Sequence, residues 1–313
     1  MQRSSMFTSI VFSKDRPLQL DLCLQSIKKN FFPSSQTVVL YTTSQGYDES
    51  YEKLITEHPS VVFFKQSRNI FDDIQAIITS KHYDEMPETY RAVYSDPIEY
   101  ITFFTDDDII YKSLGITKED VSLAFKNNAC CVSLRLGANT TMRDYGDGVL
   151  RGDAVPSEVM RLGNLLAWNR TSIPTGGYWA YPLSVDGHIF KVSHMKKFIE
   201  ELCVLNQHYD NCGEVPRAKH AWSQTPNEFE SKLQRFFFDM PPLMTCLEYS
   251  AVVNSPNNRV QNTTANRSGD VYNYTALDLK DEFDEGRRIK LDDITIDNIV
   301  CPHQEINILE GLL

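Results

Sequence analysis

Five short apolar runs, at residues 7–12, 37–42, 61–64, 100–104 and 129–136, are separated by stretches whose apolar side chains recur at helical spacing. Each run is too short for a helix and lacks the polar alternation of a half-exposed strand, so each predicts a strand covered on both faces. Between them, Pro17 opens a helix carrying Leu20, Leu24 and Ile27 and closing at Lys28-Lys29-Asn30. Pro suits the first turn and positive charge the last. A second helix centres on Tyr51, Leu54 and Ile55, a third spans 69–79 with Ile70, Ile74, Ile77 and Ile78 on one side, and a fourth starts at Thr117 as its cap. Apolar strands alternating with helices predict an α/β domain with a mostly parallel sheet flanked by helices. Ligands of such sheets bind outside the carboxyl ends of the strands.

Two polar segments fall at those ends. One is Ser13-Lys14-Asp15-Arg16-Pro17 after the first strand; the other is Asp106-Asp107-Asp108 after Tyr100-Ile101-Thr102-Phe103-Phe104-Thr105. Adjacent carboxylates repel and call for a counter-ion, and Mg²⁺ or Mn²⁺ prefers such hard oxygens while keeping sites for water or phosphate. A solvated acidic turn is the plainer alternative for the triplet. Arg135 is the lone charge in the run 129–136, which marks either an edge position or a pocket residue held by an anion.

From 137 to 182 the periodicity fades, while Trp168, Tyr178, Trp179 and Tyr181 crowd around Gly176-Gly177. A long aromatic loop suits a binding surface for sugar or base faces; the alternative is that the rings fasten the loop to the sheet. Beyond it the pattern predicts a short strand at 184–190, helices at 193–205 and 226–237, and strand-like structure at 244–253. A polar loop at 254–273 and a tail at 282–313 with one helix and a short strand complete the chain.

The net charge of −11 argues against nucleic acid as a partner, because phosphate backbones need a basic surface. No window approaches the roughly 20 consecutive apolar residues of a membrane span. Residues 1–6 lead directly into the first strand with no visible signal peptide, and the seven cysteines are scattered without CxxC spacing. These features predict a reduced, cytoplasmic protein in which the sequons at Asn139, Asn169, Asn262, Asn266 and Asn273 are chance matches.

With its opening strand and loop Ile10-Val11-Phe12-Ser13-Lys14-Asp15-Arg16-Pro17, its ordered α/β half and Thr105-Asp106-Asp107-Asp108 as a DxD element, the chain resembles a GT-A fold glycosyltransferase, family 2-like. The resemblance implies a nucleotide-sugar-binding half at 1–136 and an acceptor-binding half with a C-terminal closing segment at 137–313, in one compact domain. It implies metal-dependent, inverting transfer of a sugar from a nucleotide-sugar, with a UDP-sugar as the leading choice, to a glycan or lipid-linked acceptor. Peripheral membrane contact is left open. Ser13, Asp15, Arg16 and Asp73 then line the nucleotide pocket, Asp106 faces the ribose and the metal, and Asp108 binds Mn²⁺ or Mg²⁺. Asp107 points the other way but stays within the donor-binding group, and Arg135 adds a phosphate or carboxylate contact. Among His188, His220 and His303, His303 is the first choice of further metal ligand.

Trp168, Trp179 and Tyr181 serve the acceptor in this reading. The base that takes the acceptor proton is Glu230, in preference to Glu228, with Asp186 close behind; no clean Glu-Asp pair and no QxxRW-type element decides between them. Two other readings compete. A nucleotidyltransferase acting on a sugar phosphate shares a sheet-edge metal, but needs a Gly-rich phosphate loop where this chain has no glycine. A non-catalytic carbohydrate-binding protein on the same fold is the third.

Overall fold

The computed structural model describes residues 7–33, 35–79, 98–145, 149–212 (backbone alone for 206–212), 221–261 and 268–313. Its centre is β1 (Phe7–Lys14), flanked in parallel by β2 (Gln36–Thr42) and β4 (Tyr100–Thr105), with β3 (Val62–Lys65) parallel on the far side of β2. Helices α1 (Pro17–Asn30), α2 (Asp48–Glu57) and α3 (Ile70–Thr79) make the crossovers of the first half. A short strand, β5 (Asp108–Ile110), follows the acidic triplet's turn, and α4 (Lys118–Lys126) starts at a capping box between Thr117 and Asp120. The chain then enters β6 (Ala129–Ser133).

The segment expected to be an irregular loop carries β7 (Met142–Asp144), β8 (Leu150–Gly152), β9 (Met160–Leu162) and β10 (Leu165–Asn169). Then come β11 (His188–Lys191), α5 (Val192–Cys212), α6 (Pro226–Leu233), β12 (Leu243–Cys246), β13 (Val252–Asn254) and α7 (Ala276–Asp284). The main sheet runs β3-β2-β1-β4-β11-β6-β12-β10-β9, with β11 and β10 against the common direction. A mixed α/β layer with a mostly parallel sheet is therefore the observed class, and the one sheet draws strands from both halves of the chain. The expected strand at 244–253 is two strands with a turn between them. The tail's helix ends at Asp284 and the rest continues in short 3₁₀ turns.

The period of two along each strand sorts the core into two layers. Phe7 and Val11 of β1 join Tyr100 and Phe104 of β4 beneath α1 and α7, while Ile10, Phe12, Ile101 and Phe103 face α3, α5 and α6. No helix among the described residues is long and apolar enough to cross a membrane. None of Cys23, Cys130, Cys131, Cys203, Cys246 and Cys301 forms a disulfide.

Candidate functional site

A cavity of about 480 Å³ opens at the carboxyl ends of β1 and β4. Its floor is the turn after β1. Asp15 adopts a left-handed conformation (φ 55°) and its carboxylate accepts from the Ser44 backbone N–H and hydroxyl, both at 2.7 Å. Such a conformation strains a residue with a Cβ and persists only when anchored. The anchored turn, followed at once by Pro17, directs Arg16 across the acidic triplet. Arg16 Nη1 lies 2.9 Å from Asp106 Oδ1 and 2.9 Å from Asp107 Oδ2.

The triplet itself is buried. Asp106 Oδ2 accepts from the Lys14 backbone N–H and the Ser13 hydroxyl, both at 2.9 Å. Asp108 Oδ2 accepts from the Thr105 backbone N–H at 2.8 Å. Asn254, paired with Asp108 across β5 and β13, donates its amide to Thr105 Oγ1 (3.0 Å), Asp107 Oδ1 (2.9 Å) and Asp108 Oδ1 (3.2 Å). Burial pushes the Asp106 carboxyl up to about 6, with Arg16 opposing and Asp107 adding to the rise. Burial, then the Asp186 and Asp107 charges, raises Asp108 well above the carboxylate range.

The opposite wall is built by β6, β11 and α6. Gly187 (φ 70°) lies between β4 and β6, its N–H donating to Phe103 O and its carbonyl accepting from Leu134 N–H. This left-handed corner presents Asp186 just ahead of β11. Arg135 Nη1 donates to Asp186 Oδ2 and to His303 Nε2, each at 3.0 Å, and the guanidinium sits 5.3 Å from the Tyr178 ring centre. A guanidinium only donates, so His303 Nε2 is the acceptor and its Nδ1 carries the proton given to Asn254 Oδ1 at 3.3 Å. Burial holds His303 below the usual imidazole range, consistent with this neutral tautomer. One polar chain thus runs from Asp186 through Arg135, His303 and Asn254 to the triplet.

Glu230 hangs from α6 beside Phe229, whose ring is fully buried against Phe71 (4.9 Å), Phe103 (5.5 Å) and Phe12 (6.2 Å). Burying a phenyl ring contributes about 1.5–3 kcal/mol and here also fixes the neighbouring carboxylate. Glu230 accepts from the Tyr181 hydroxyl and from Val185 N–H (3.0 Å), and Gln234 Nε2 donates to the same Tyr181 oxygen at 2.6 Å. Burial, followed by the Asp186 charge, pushes Glu230 up to about 7.

The structure sorts the expected residues unevenly. Ser13, Arg16, Asp106, Asp107, Arg135, Tyr181, Asp186, Glu230 and His303 line the one cavity. Asp15 and Asp73 do not: Asp15 braces the turn beneath it, and Asp73 accepts from Ser67 N–H at 3.0 Å to close the loop before α3. Within the triplet the expectation reverses, since Asp107 faces the cavity and Asp108 points inward with 1% exposure.

Trp168 and Trp179 are core rings, stacked edge to face at 4.9 Å. Their indole N–H groups donate to Trp179 O and Thr140 O, so they fasten the excursion to the sheet and leave no face for an acceptor. Glu228 accepts from Gln224 N–H ahead of α6 and lies outside the lining. His188 is fully buried and donates Nδ1–H to Pro182 O, and His220 lies outside the described residues.

The expected metal ligands Asp106, Asp108 and His303 are not gathered: among the described residues no three His, Cys, Asp or Glu side chains group to hold an ion. The reason is chemical. Every oxygen of the triplet already accepts from a protein donor, and both His303 nitrogens are engaged. The donor set as built gathers no ligand cluster for a divalent ion, and Arg16 already meets the charge of Asp106 and Asp107. Asn254, Asn258 and Lys14 were not singled out as site residues in the sequence, although the change from Val252-Val253 to Asn254-Ser255-Pro256-Asn257-Asn258 marks a strand end like the other two.

No family model matches the chain, and no curated protein matches its sequence. Among solved structures, Staphylococcus aureus TarS 1–349 in complex with UDP-GlcNAc aligns with TM-score 0.43 and 13% identity over 79% of this chain and 57% of that one. TarS 1–349 alone gives 0.41 and 14%, over 79% and 59%. The mannosyltransferase PcManGT from Pyrobaculum calidifontis, in complex with GDP-Man and Mn²⁺, gives 0.27 and 12%, over 44% and 36%. The chain thus spans less than two thirds of each of these solved chains.

Proposed function

We propose that the protein is a glycosyltransferase moving a sugar from a nucleotide-sugar donor to a glycan or lipid-linked acceptor, with inversion. The observation that supports this best is the meeting, in one cavity, of a cationic and acidic floor at the β1 and β4 ends with Glu230 on the facing wall. The cavity volume falls within the 300–1,000 Å³ range of small-molecule sites.

In this reading the nucleotide lies along the floor, where Lys14, Arg16 and Arg259 line the cavity beside its diphosphate. The acceptor hydroxyl enters between the sugar and Glu230. Its oxygen forms a bond to the anomeric carbon, its proton passes to Glu230, and the bond from that carbon to the diphosphate breaks with the electron pair leaving on the phosphate oxygen. A carboxylate whose proton affinity sits near neutral pH suits this task. Asp186 is the poorer candidate because its Oδ2 already accepts from Arg135 Nη1 at 3.0 Å. It orients the wall and, by its charge, lifts Glu230.

A panel of UDP-, GDP-, CMP- and dTDP-sugars tests the function. One nucleotide-sugar is expected to raise the melting temperature and to be turned over, and Glu230→Gln to keep the binding and lose the turnover. Stabilisation by nucleoside triphosphates alone would move the assignment to nucleotidyl transfer, and sugar binding without nucleotide binding to a non-catalytic role.

A further inference from the structure

A sheet-edge triplet of carboxylates calls for a cation, and this chain supplies one of its own. Arg16 bridges Asp106 and Asp107 through a single nitrogen at 2.9 Å to each. Its Nε donates to Asn258 Oδ1 at 2.7 Å, and its Nη2 donates to the Asn258 carbonyl. Asn258 is itself held, its amide donating to Gln19 Oε1 at 2.9 Å. The guanidinium is therefore locked from both sides, on a backbone turn braced by Asp15 and Ser44.

A divalent ion entering here would have to displace a like charge that makes charge-assisted bonds to two carboxylates, and to strip Asn254 from Asp107 and Asp108. It would also need several ligands together at the 2.0–2.1 Å that Mg²⁺ demands, and no three His, Cys, Asp or Glu side chains group so among the described residues. We infer that Arg16 is the resident cation of this site, and that the site takes up a nucleoside diphosphate without a divalent metal. The first half of this inference stands on the geometry alone; the second rests on the function proposed above.

The test is a titration of the full chain with Mn²⁺ alone, following the electron paramagnetic resonance signal of free Mn²⁺. The wild type is expected to leave the signal intact at equimolar ion. Arg16→Ala, which releases Asp106 Oδ1 and Asp107 Oδ2, is expected to take up the ion at least about tenfold more tightly, an added 1.4 kcal/mol. One Mn²⁺ bound per wild-type chain, and lost in Asp107→Asn, would overturn the inference whether or not the Arg16 variant folds. In parallel, UDP is expected to raise the melting temperature equally in EDTA and in Mn²⁺, and stabilisation only with Mn²⁺ would also overturn it. If UDP gives no shift in either buffer, the nucleotide reading falls and the Mn²⁺ titration alone decides the role of Arg16.

Discussion

Replacing Asn254 by alanine removes a neutral group that touches two of the three floor carboxylates, Asp107 and Asp108. Its amide has two hydrogens serving three acceptors, Thr105 Oγ1, Asp107 Oδ1 and Asp108 Oδ1. At most two full bonds are lost, and with both to the carboxylates, at about 1.5–3 kcal/mol each, the loss is bracketed at about 3–6 kcal/mol. The lower end is the expected value, about 3 kcal/mol at pH 7.5, because the Thr105 hydroxyl is a neutral acceptor that shares the two hydrogens. The Asn254 bond holds the Asp108 pKa down, so the variant raises it further. The extra instability is then full above that raised value and fades as the pH falls below it. Urea unfolding over a pH series measures this: with a slope of about 3 kcal/mol/M the midpoint drops by about 1 M at pH 7.5, and the drop shrinks as the pH is lowered. A loss below about 1 kcal/mol, or one that does not shrink anywhere in the series as the pH falls, would refute the electrostatic account of the floor.

For the proposed transfer, kcat/KM should rise with pH through about 7 as Glu230 ionises, and Glu230→Gln should lose about 10²–10⁴-fold and flatten that limb in a pH–rate series. The folded protein binds this proton more tightly than the unfolded chain, 7 against 4.5. Its contribution to stability therefore grows as pH falls from about 7 towards 4.5, and thermal melts of Glu230→Gln should lack that component. Tyr181→Phe removes a donor that favours the Glu230 anion, so the inflection in the rate profile should move to higher pH. Trp168→Ala should cost about 3–5 kcal/mol in denaturant midpoint as a core cavity, whereas the conservative Trp168→Phe should leave the KM for the acceptor unchanged.

The first half of the fold was legible because its strands are buried on both faces and its helices carry ordinary start signals. Pro17 and the Thr117–Asp120 box stand where the helices begin. The excursion from 137 to 182 was not legible. Leu165-Leu166-Ala167-Trp168 is a strand only because β12 and β9 flank it, partners that lie far along the chain or across a tight turn. Local pattern also drew attention to Trp168 and Trp179, but an indole reads alike in a core and in a binding face until its N–H partner is known.

The triplet asked for a positive charge, and the fold supplies one in Arg16. What the chain could not display locally was that Arg16, 90 residues away from Asp106, folds in to meet it. Nor could it show that a pairing of β5 with β13 would bring Asn254 to the same carboxylates. Alternation of side chains around the turn then set Asp107, rather than Asp108, towards the cavity.

The bridge between Asn254 and His303, reinforced by Asn254 N–H to Pro302 O and Gln304 N–H to Asn254 O, has a consequence for the order in which the molecule is made. The β1–α1–β2 layer can form while synthesis is under way, since its contacts are close in sequence. The cavity cannot, because its wall includes residue 303 and its floor residue 13. Contacts of such long range form late. A nascent chain stalled before His303 would present the acidic triplet and Arg16 to water with the wall incomplete, so the complete cavity waits until residue 303 has been made.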